Sequence, residues 1–458
     1  MKLEDIKSVY FLGAGGIGMS ALARYYMHEG CRVAGYDRTE TPLTRALAAE
    51  GAEIHYDDDV ALIPEDMRSA EDTLVVLTPA IPADHKEWAW LRDNGFHIEK
   101  RSQMLGEITR GQRCMAVAGT HGKTTTSTLL SHLFTASGEG CSAFLGGISK
   151  NFGTNMIIGE NDVIVVEADE FDRSFLQLYP EIAVITSMDA DHLDIYGDEA
   201  HIHEAFKAFA SQVKGTVIAK HGLDISEADT KAKIMTYSYD DPAADFYAEL
   251  TEGDGNGRSR FNLHWPGGVI SDCIVGIPGW VNIENAVAAS AIALTYGLDP
   301  EKIRKALATF AGVKRRFDIQ LETEKCVYID DYAHHPREIT ASLTSIKGNF
   351  PGYRLTAIFQ PHLYTRTRDF ADGFAEALSN ADRLILLDIY PAREEPIPGV
   401  TSEIIFKNVT APEKVMMEKE ELMDYLRNEP VDILVTFGAG NIDRYIRPIT
   451  EMLKERTK

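Results

Sequence analysis

Cysteine is scarce in this sequence: five in 458 residues, at Cys31, Cys114, Cys141, Cys273 and Cys326. The number is odd and no pair has CxxC spacing, which argues against a disulfide framework or a zinc site and for a reducing compartment. Long apolar runs are also missing. The longest have the length of a strand, well short of the ~20 residues that span a bilayer, so membrane insertion is not expected. Basic residues are few: 46 Lys and Arg against 70 Asp and Glu give a net charge of −24. A surface this acidic repels nucleic acid and anionic lipid and argues against either as a main partner. Repeats and low-complexity tracts are absent. An apolar fraction of 44% with 25% charged residues leaves no case for disorder or a fibrous chain. The first residues set Glu4 and Asp5 ahead of an apolar run that ends at Gly13, unlike a secretory signal, and the expected location is the cytoplasm.

What the chain does have is alternation. Short β-rich apolar runs alternate with longer segments of helical period, the pattern of α/β domains with parallel sheets. At roughly 100–200 residues per domain, this length favours three. The first series has strands at Val9 to Leu12, Cys31 to Tyr36 and Thr73 to Leu77, with helices ending at Glu29 and running from Trp88 to Asn94. A second opens with strand Cys114 to Ala118 and continues through strands Val163 to Val166 and Ile182 to Thr186 and a helix from His201 to Val213. Hairpins between Gly253 and Gly268 follow, then helices Asn282 to Tyr296 and Pro300 to Phe310. The third has strands Cys326 to Ile329, Leu355 to Phe359, Leu384 to Leu387 and Ile433 to Thr436. The expected domains are 1–106, 107–312 and 313–458.

Two glycine loops carry the chemistry. Gly13-Ala14-Gly15-Gly16-Ile17-Gly18 fits GxGxxG between a strand and a helix, where backbone N–H groups approach a diphosphate at the positive helix end. Asp37 closes the next strand, nineteen residues after Gly18, in position to meet a ribose hydroxyl. By itself this loop is equally open to a nicotinamide or flavin enzyme and to a structural turn. The second loop, Gly119-Thr120-His121-Gly122-Lys123-Thr124-Thr125-Thr126, follows a strand and precedes a helix. Its GxxGKT spacing is two residues shorter than GxxxxGK[ST] but keeps the amides, the lysine charge and the hydroxyl that a Mg²⁺-nucleotide needs. Two later strands run into Glu167-Ala168-Asp169-Glu170 and Asp189-Ala190-Asp191-His192-Leu193-Asp194. Carboxylates at strand carboxyl ends lie where open α/β sheets bind ligands, so Thr124 and Glu167 form a sensible Mg²⁺ pair. His192 is an uncommon Mg²⁺ ligand and by itself reads as a loop histidine.

These three central segments resemble the Mur ligases, ATP-dependent amide-forming enzymes of peptidoglycan synthesis. The resemblance extends over nearly the whole chain: Gly13 to Ser20, Asn282-Ile283-Glu284-Asn285, Arg315-Arg316-Phe317-Asp318, Asp330 to Pro336 and Gln360 to Thr367 all match family segments. It implies an N-terminal Rossmann-like UDP-binding domain, a central P-loop-type ATPase domain and a C-terminal Rossmann-like domain. Gln360 to Thr367 favours the branch that joins L-alanine to the carboxylate of UDP-N-acetylmuramate through an acyl phosphate. By that resemblance, Gly13, Gly15, Gly16, Ile17, Gly18 and Asp37 serve the UDP substrate. ATP falls to Gly119, Thr120, His121, Gly122, Lys123, Thr124 and Thr125, with Asn282 and Asn285 at the adenine and Arg316 at the phosphates. Lys123, Glu167 and His192 are the implied catalytic set, and Thr124, Glu167 and His192 hold two Mg²⁺ ions. Tyr332, His334, His335, His362 and Arg366 take the amino acid, with Arg315 and Arg368 in the same basic set. A monomer or weak homodimer is implied.

Several positions depart from the family pattern. Leu363 replaces a frequent arginine, Val281 a histidine before the NxxN, Ser187 an asparagine and Ala14 an isoleucine. Some family members carry a carbamylated lysine about fifteen residues after the metal histidine, which here is Lys207, although the alanine-adding branch generally lacks it. The rival within the family is the ligase that attaches a preformed tripeptide; folate-polyglutamate-type ligases share the ATP site without this first domain. From other classes, a nicotinamide dehydrogenase accounts only for the first glycine loop, and a non-catalytic nucleotide switch only for the second.

Overall fold

The computed structural model describes residues 6–189, 193–251, 259–392 and 394–457. The chain divides into two compact units: Met1–Glu249 with Asn262–Cys273 and Asn285–Phe310, and Leu250–Phe261 with Ile274–Glu284 and Ala311–Lys458. The first unit holds two sheets. Its N-terminal sheet is five-stranded, in the order Glu53–His55, Arg32–Tyr36, Ser8–Leu12, Thr73–Leu77, His97–Lys100, with every pairing parallel. Both edge strands went unread in the sequence because three or four half-exposed residues are too few to show a period. The register pairs Leu12 with both Tyr36 and Leu77. Gly13, Asp37 and Thr78 therefore leave the sheet side by side.

The central sheet runs through Lys233–Ser238, Thr216–Lys220, Ile182–Ile185, Arg113–Ala118, Val163–Ala168, Ser142–Phe144 and Met156–Ile157, and continues beyond Lys233–Ser238 through Phe246–Thr251, Arg260–Trp265 and Gly268–Ile274. Its middle strands are apolar without alternation because both faces are covered; Cys114 to Ala118 and Val163 to Val166 are all buried. At about 1.5–3 kcal/mol per buried aliphatic side chain, these strands are the rigid part of the unit. Ala118 pairs with Ile185 on one side and with Ala168 on the other. Three strands thus stop in line, and their continuations, Gly119, Asp169 and Thr186, share one edge.

The domain boundary expected near residue 106 falls inside helix Arg101–Thr109. Gly106 explains why the helix continues: a Cβ there would lie 2.6 Å from the carbonyl oxygen of Gln177, so the missing side chain lets the helix seat against the second sheet's connections. The hairpins expected from Gly253 to Gly268 are described only in part, since 252–258 lie outside the described residues; Arg260–Trp265 and Gly268–Ile274 are sheet neighbours joined by Pro266-Gly267.

The second unit carries a six-stranded sheet in the order Asp318–Glu322, Val327–Asp331, Ile433–Phe437, Leu355–Phe359, Arg383–Leu387, Glu413–Met417. All its pairings are parallel except the antiparallel first one. All five cysteines are free thiols, and among the described residues no helix is long and apolar enough to cross a membrane.

Candidate active site

Strand Arg113–Ala118 delivers the phosphate loop and helix Lys123–Ala136 leaves it. Gly119 turns at φ +131° so closely against the next strand end that a Cβ would meet Thr186 Oγ1 at 2.1 Å. Ser187, the departure from asparagine, pins this loop: its Oγ accepts from the His121 amide at 2.9 Å and bonds the Thr120 hydroxyl at 2.8 Å. Thr120 Oγ1 in turn accepts from the Asp189 amide at 3.1 Å, and His121 Nε2 lies 3.2 Å from Asp189 Oδ2. A serine does the holding here, so the departure leaves the loop intact.

Lys123 sits at the first position of the helix. Its ammonium donates to the Gly119 carbonyl at 2.6 Å and to Glu170 at 2.7 and 2.9 Å. Burial alone would lower its pKa, but Glu170, Asp169 and Glu167 together more than offset this and hold the group above the ordinary lysine value. The site therefore keeps a fixed positive charge in an acidic protein.

Thr124 Oγ1 donates to Glu167 Oε1 at 3.1 Å, while the Gly146 amide and Ser127 Oγ reach Glu167 Oε2 at 3.1 and 3.5 Å. Two hard oxygens 3.1 Å apart suit adjacent positions around an octahedral Mg²⁺, whose ligands stand at ~2.0–2.1 Å from the metal. Thr124 and Glu167 thus fit the ion. His192 lies outside the described residues. Among the described residues no group of three or more His, Cys, Asp or Glu forms a metal cluster. Thr125 is buried on the same helix. Asn285 accepts from Thr126 Oγ1 at 3.2 Å and stands 2.8 Å from where a Gly122 Cβ would be, so it braces the loop. Asn282 caps its own turn, donating to Pro278 O at 2.6 Å.

The first glycine loop is held in the same way. The Gly15 amide donates to Asp37 Oδ2 at 2.7 Å, so Asp37, read in the sequence as a ribose acceptor, already braces the loop with one oxygen. Gly16 precedes helix Ile17–His28 without any side-chain cap, at the positive end of that helix.

Two residues outside the motifs link this loop to the central sheet within the first unit. Arg101 lies 2.2 Å from the position of a Gly18 Cβ and donates to Asp169 Oδ2 at 3.1 Å. Asn155, fully buried, donates to the Ile17 carbonyl at 2.6 Å and to Ser20 Oγ at 3.1 Å, and accepts from Arg24. A lone asparagine in a short loop gives no sequence signal. Neither does Arg101, whose partner Asp169 lies 68 residues further along the chain.

Lys207 pairs with Asp224 at 2.7 Å and Asp229 at 3.8 Å. Two carboxylates suit an ammonium and would repel a carbamate, so the geometry favours the unmodified lysine.

In the second unit the register sets Asp331 beside Phe437 and Phe437 beside Phe359, which gathers Tyr332, Gly438 and Gln360 at one edge. Arg315 and Arg316 lie over the Tyr332 ring at 5.0 and 4.8 Å. Arg315 donates to the fully buried Asp330 at 3.3 Å and to Gly438 O at 2.7 Å, so it is a structural tie. Burial raises Asp331 to about 6, against the Arg316 charge. His334 bonds the Tyr332 carbonyl at 3.1 Å, and its ring stands 6.3 Å from that of His362. His335 instead caps helix Pro336–Asn349, Nδ1 accepting from the Arg337 amide, with its ring buried against Phe370. Arg366 lies on the short helix Tyr364–Asp369, whose N-cap Leu363 has φ +70°. Arg368, expected in the basic set, is turned to Asp369 at 2.7 Å.

A parallel sheet that ends in a GxxGKT loop whose lysine and threonine meet two carboxylates nearby, in one unit with a second glycine turn between strand and helix, is the arrangement of an α/β nucleotide-dependent enzyme. Family models account for most of the chain: "Mur ligase family, catalytic domain" over residues 8–113, "Mur ligase middle domain" over 117–293 and "Mur ligase, glutamate ligase domain" over 315–440. The chain belongs to the Mur ligase family. It is 52% identical to a UDP-N-acetylmuramate–L-alanine ligase of Parabacteroides distasonis, over 99% of this chain and 98% of that one. With the enzyme of the same name from Phocaeicola vulgatus it shares 49%, over the whole of both. The solved UDP-N-acetylmuramate–alanine ligase of Thermotoga maritima superposes with a TM-score of 0.82 at 26% identity, over 98% of this chain and 99% of that one.

Proposed function

We propose that this protein is the ATP-dependent, ADP-forming ligase that joins L-alanine to UDP-N-acetylmuramate in peptidoglycan precursor synthesis. The observation that carries the reading is the strand-edge cluster of Lys123, Thr124, Glu167 and Glu170 in a chain that matches L-alanine ligases end to end. A muramate carboxylate oxygen attacks the γ-phosphorus of ATP and ADP leaves. The alanine amine then attacks the acyl carbon, the tetrahedral intermediate expels inorganic phosphate, and the nitrogen loses its proton. No protein nucleophile is required; the chain supplies position and charge. Lys123 neutralises charge on the phosphates, and the amides of the first turn of helix Lys123–Ala136 orient them. Thr124 and Glu167 would hold Mg²⁺, which when bound neutralises phosphoryl oxygens; His192 is assigned to a second ion by resemblance alone. The Gly13 to Gly18 loop and the open end of helix Ile17–His28 take the diphosphate. Tyr332, His334, His362 and Arg366 serve L-alanine, Arg366 as a guanidinium for its carboxylate.

The test is phosphate release from ATP with UDP-N-acetylmuramate present, compared across L-alanine, L-serine, glycine and the muramyl tripeptide. L-Alanine should give the highest kcat/KM. Dependence on the tripeptide alone, or turnover without the sugar nucleotide, would overturn the reading.

A further inference from the structure

The lysine that should meet nucleotide phosphates has no donor to spare. An ammonium carries three N–H groups, and those of Lys123 are directed to Gly119 O at 2.6 Å and to the Glu170 carboxylate at 2.7 and 2.9 Å, with Thr120 O a longer fourth contact at 3.5 Å. Both side chains are enclosed, at 13% and 3% exposure. Phosphate oxygens can be bound by Lys123 only by displacing one of these acceptors. Gly119 O belongs to the loop that forms the cradle, whereas Glu170 presents two anionic oxygens with the charge and spacing of a phosphate edge.

The backbone around Glu170 is fixed, which leaves the side chain as the part that can turn. Its carbonyl accepts from Tyr196 Oη at 2.6 Å and from the Arg173 amide at 2.9 Å. The next turn is locked by Asp172 and Arg173 in the left-handed region, at φ 52° and 55°, and Arg173 lies over the Tyr196 ring at 5.3 Å.

We propose that Glu170 is an internal stand-in for nucleotide phosphate, a positioning residue that holds the Lys123 ammonium seated in the loop and must release it when nucleotide binds. Resting on the assignment of this loop to ATP, the inference adds a competitor that the mechanism does not otherwise use. In an acidic protein the pair keeps the loop assembled without ligand, and it makes metal-free nucleotide binding weaker than the loop alone would give.

The test is calorimetric titration of ADP in excess chelator into the protein and four variants: Glu170→Gln, Glu170→Asp, Lys123→Ala and the Lys123→Ala, Glu170→Gln double variant. Glu170→Gln removes the competing charge but keeps the side-chain shape. Charge-assisted hydrogen bonds of this kind change equilibria by ten- to a hundredfold, so Glu170→Gln should bind ADP about tenfold more tightly. Glu170→Asp, a methylene shorter, should lie between the two. In a Lys123→Ala background the effect of Glu170→Gln should vanish, which separates competition for the lysine from general charge repulsion. Unchanged or weaker ADP binding by a folded Glu170→Gln protein would overturn the proposal, as would an equal gain with Lys123 absent. Should Glu170→Gln fail to fold, Glu170→Asp carries the same test. No ADP binding by the unmutated protein or by Glu170→Gln, with Mg²⁺ restored as well as in chelator, would overturn the ATP assignment itself.

Discussion

Gly119→Ala is the sharpest perturbation of the phosphate loop. At φ +131° an L-residue is strained by about 1–3 kcal/mol. The added Cβ would also lie 2.1 Å from Thr186 Oγ1, 2.8 Å from the Ser187 nitrogen and 2.9 Å from the Thr186 nitrogen. The hydroxyl is held by the Ala118 carbonyl at 3.1 Å, and the two nitrogens move only if the chain after strand Ile182–Ile185 lifts. Overpacking of this kind costs a further ~1–3 kcal/mol. A local penalty of roughly 2–6 kcal/mol should weaken ADP binding at least ~30-fold at the lower bound, read by calorimetry, with UDP-N-acetylmuramate binding within about twofold of normal. Gly16→Ala is the contrast for stability. Its φ is −65° and its nearest contact would be 3.5 Å, so its melting temperature should not change. ADP affinity within about threefold of the unmutated protein for Gly119→Ala would refute the assignment of this turn to the nucleotide.

Ser187→Ala removes two bonds to the loop, at 2.8 and 2.9 Å, each worth about 0.5–1.5 kcal/mol; KM for ATP should rise at least about fivefold while KM for the sugar nucleotide holds, and equal rises in both would count against it. Lys207→Arg keeps the charge that Asp224 and Asp229 require and should leave kcat/KM within about threefold; a loss beyond about a hundredfold would point to a modified lysine. Glu87 is fully buried, accepts from Tyr10 Oη at 2.7 Å, and is pushed up to about 7 by burial, against that bond and the Asp59 amide. The folded protein therefore retains a proton that the unfolded chain releases, and stability falls as pH rises from about 4.5 to about 7. Thermal melts of Glu87→Gln between pH 5 and 8 should show a shallower decline than the unmutated protein, and an identical slope would contradict this.

Where function rests on strand ends and glycines, it was legible in the sequence. The strands before Gly13 and Gly119 are short continuous apolar runs, and a buried parallel strand has to stop where polar loops begin, so both loop positions followed from the pattern; the strand expected to end at Val166 runs on through Glu167 to Ala168. What could not be read was which side chains the loops use on one another. Asp37 looked like a ribose acceptor by spacing, yet it braces Gly15. His335 shares a motif with His334 but caps a helix. Glu170 stood in a quoted motif without a task, because only the register of Ala118 with Ala168 turns it toward Lys123. Arg101 and Asn155, which tie the first glycine loop to the central sheet, act across 68 and 138 residues of sequence, a distance over which single-sequence patterns carry no information.

The central claim is phosphoryl transfer to a carboxylate followed by amide formation, and the labelled oxygen reports on it directly. UDP-N-acetylmuramate carrying ¹⁸O in its carboxylate, turned over with ATP and L-alanine, should deliver one of its carboxylate oxygens to the inorganic phosphate in every turnover, since the acyl C–O bond is the one that breaks. Inorganic phosphate formed at the rate of amide product but free of ¹⁸O would contradict the account.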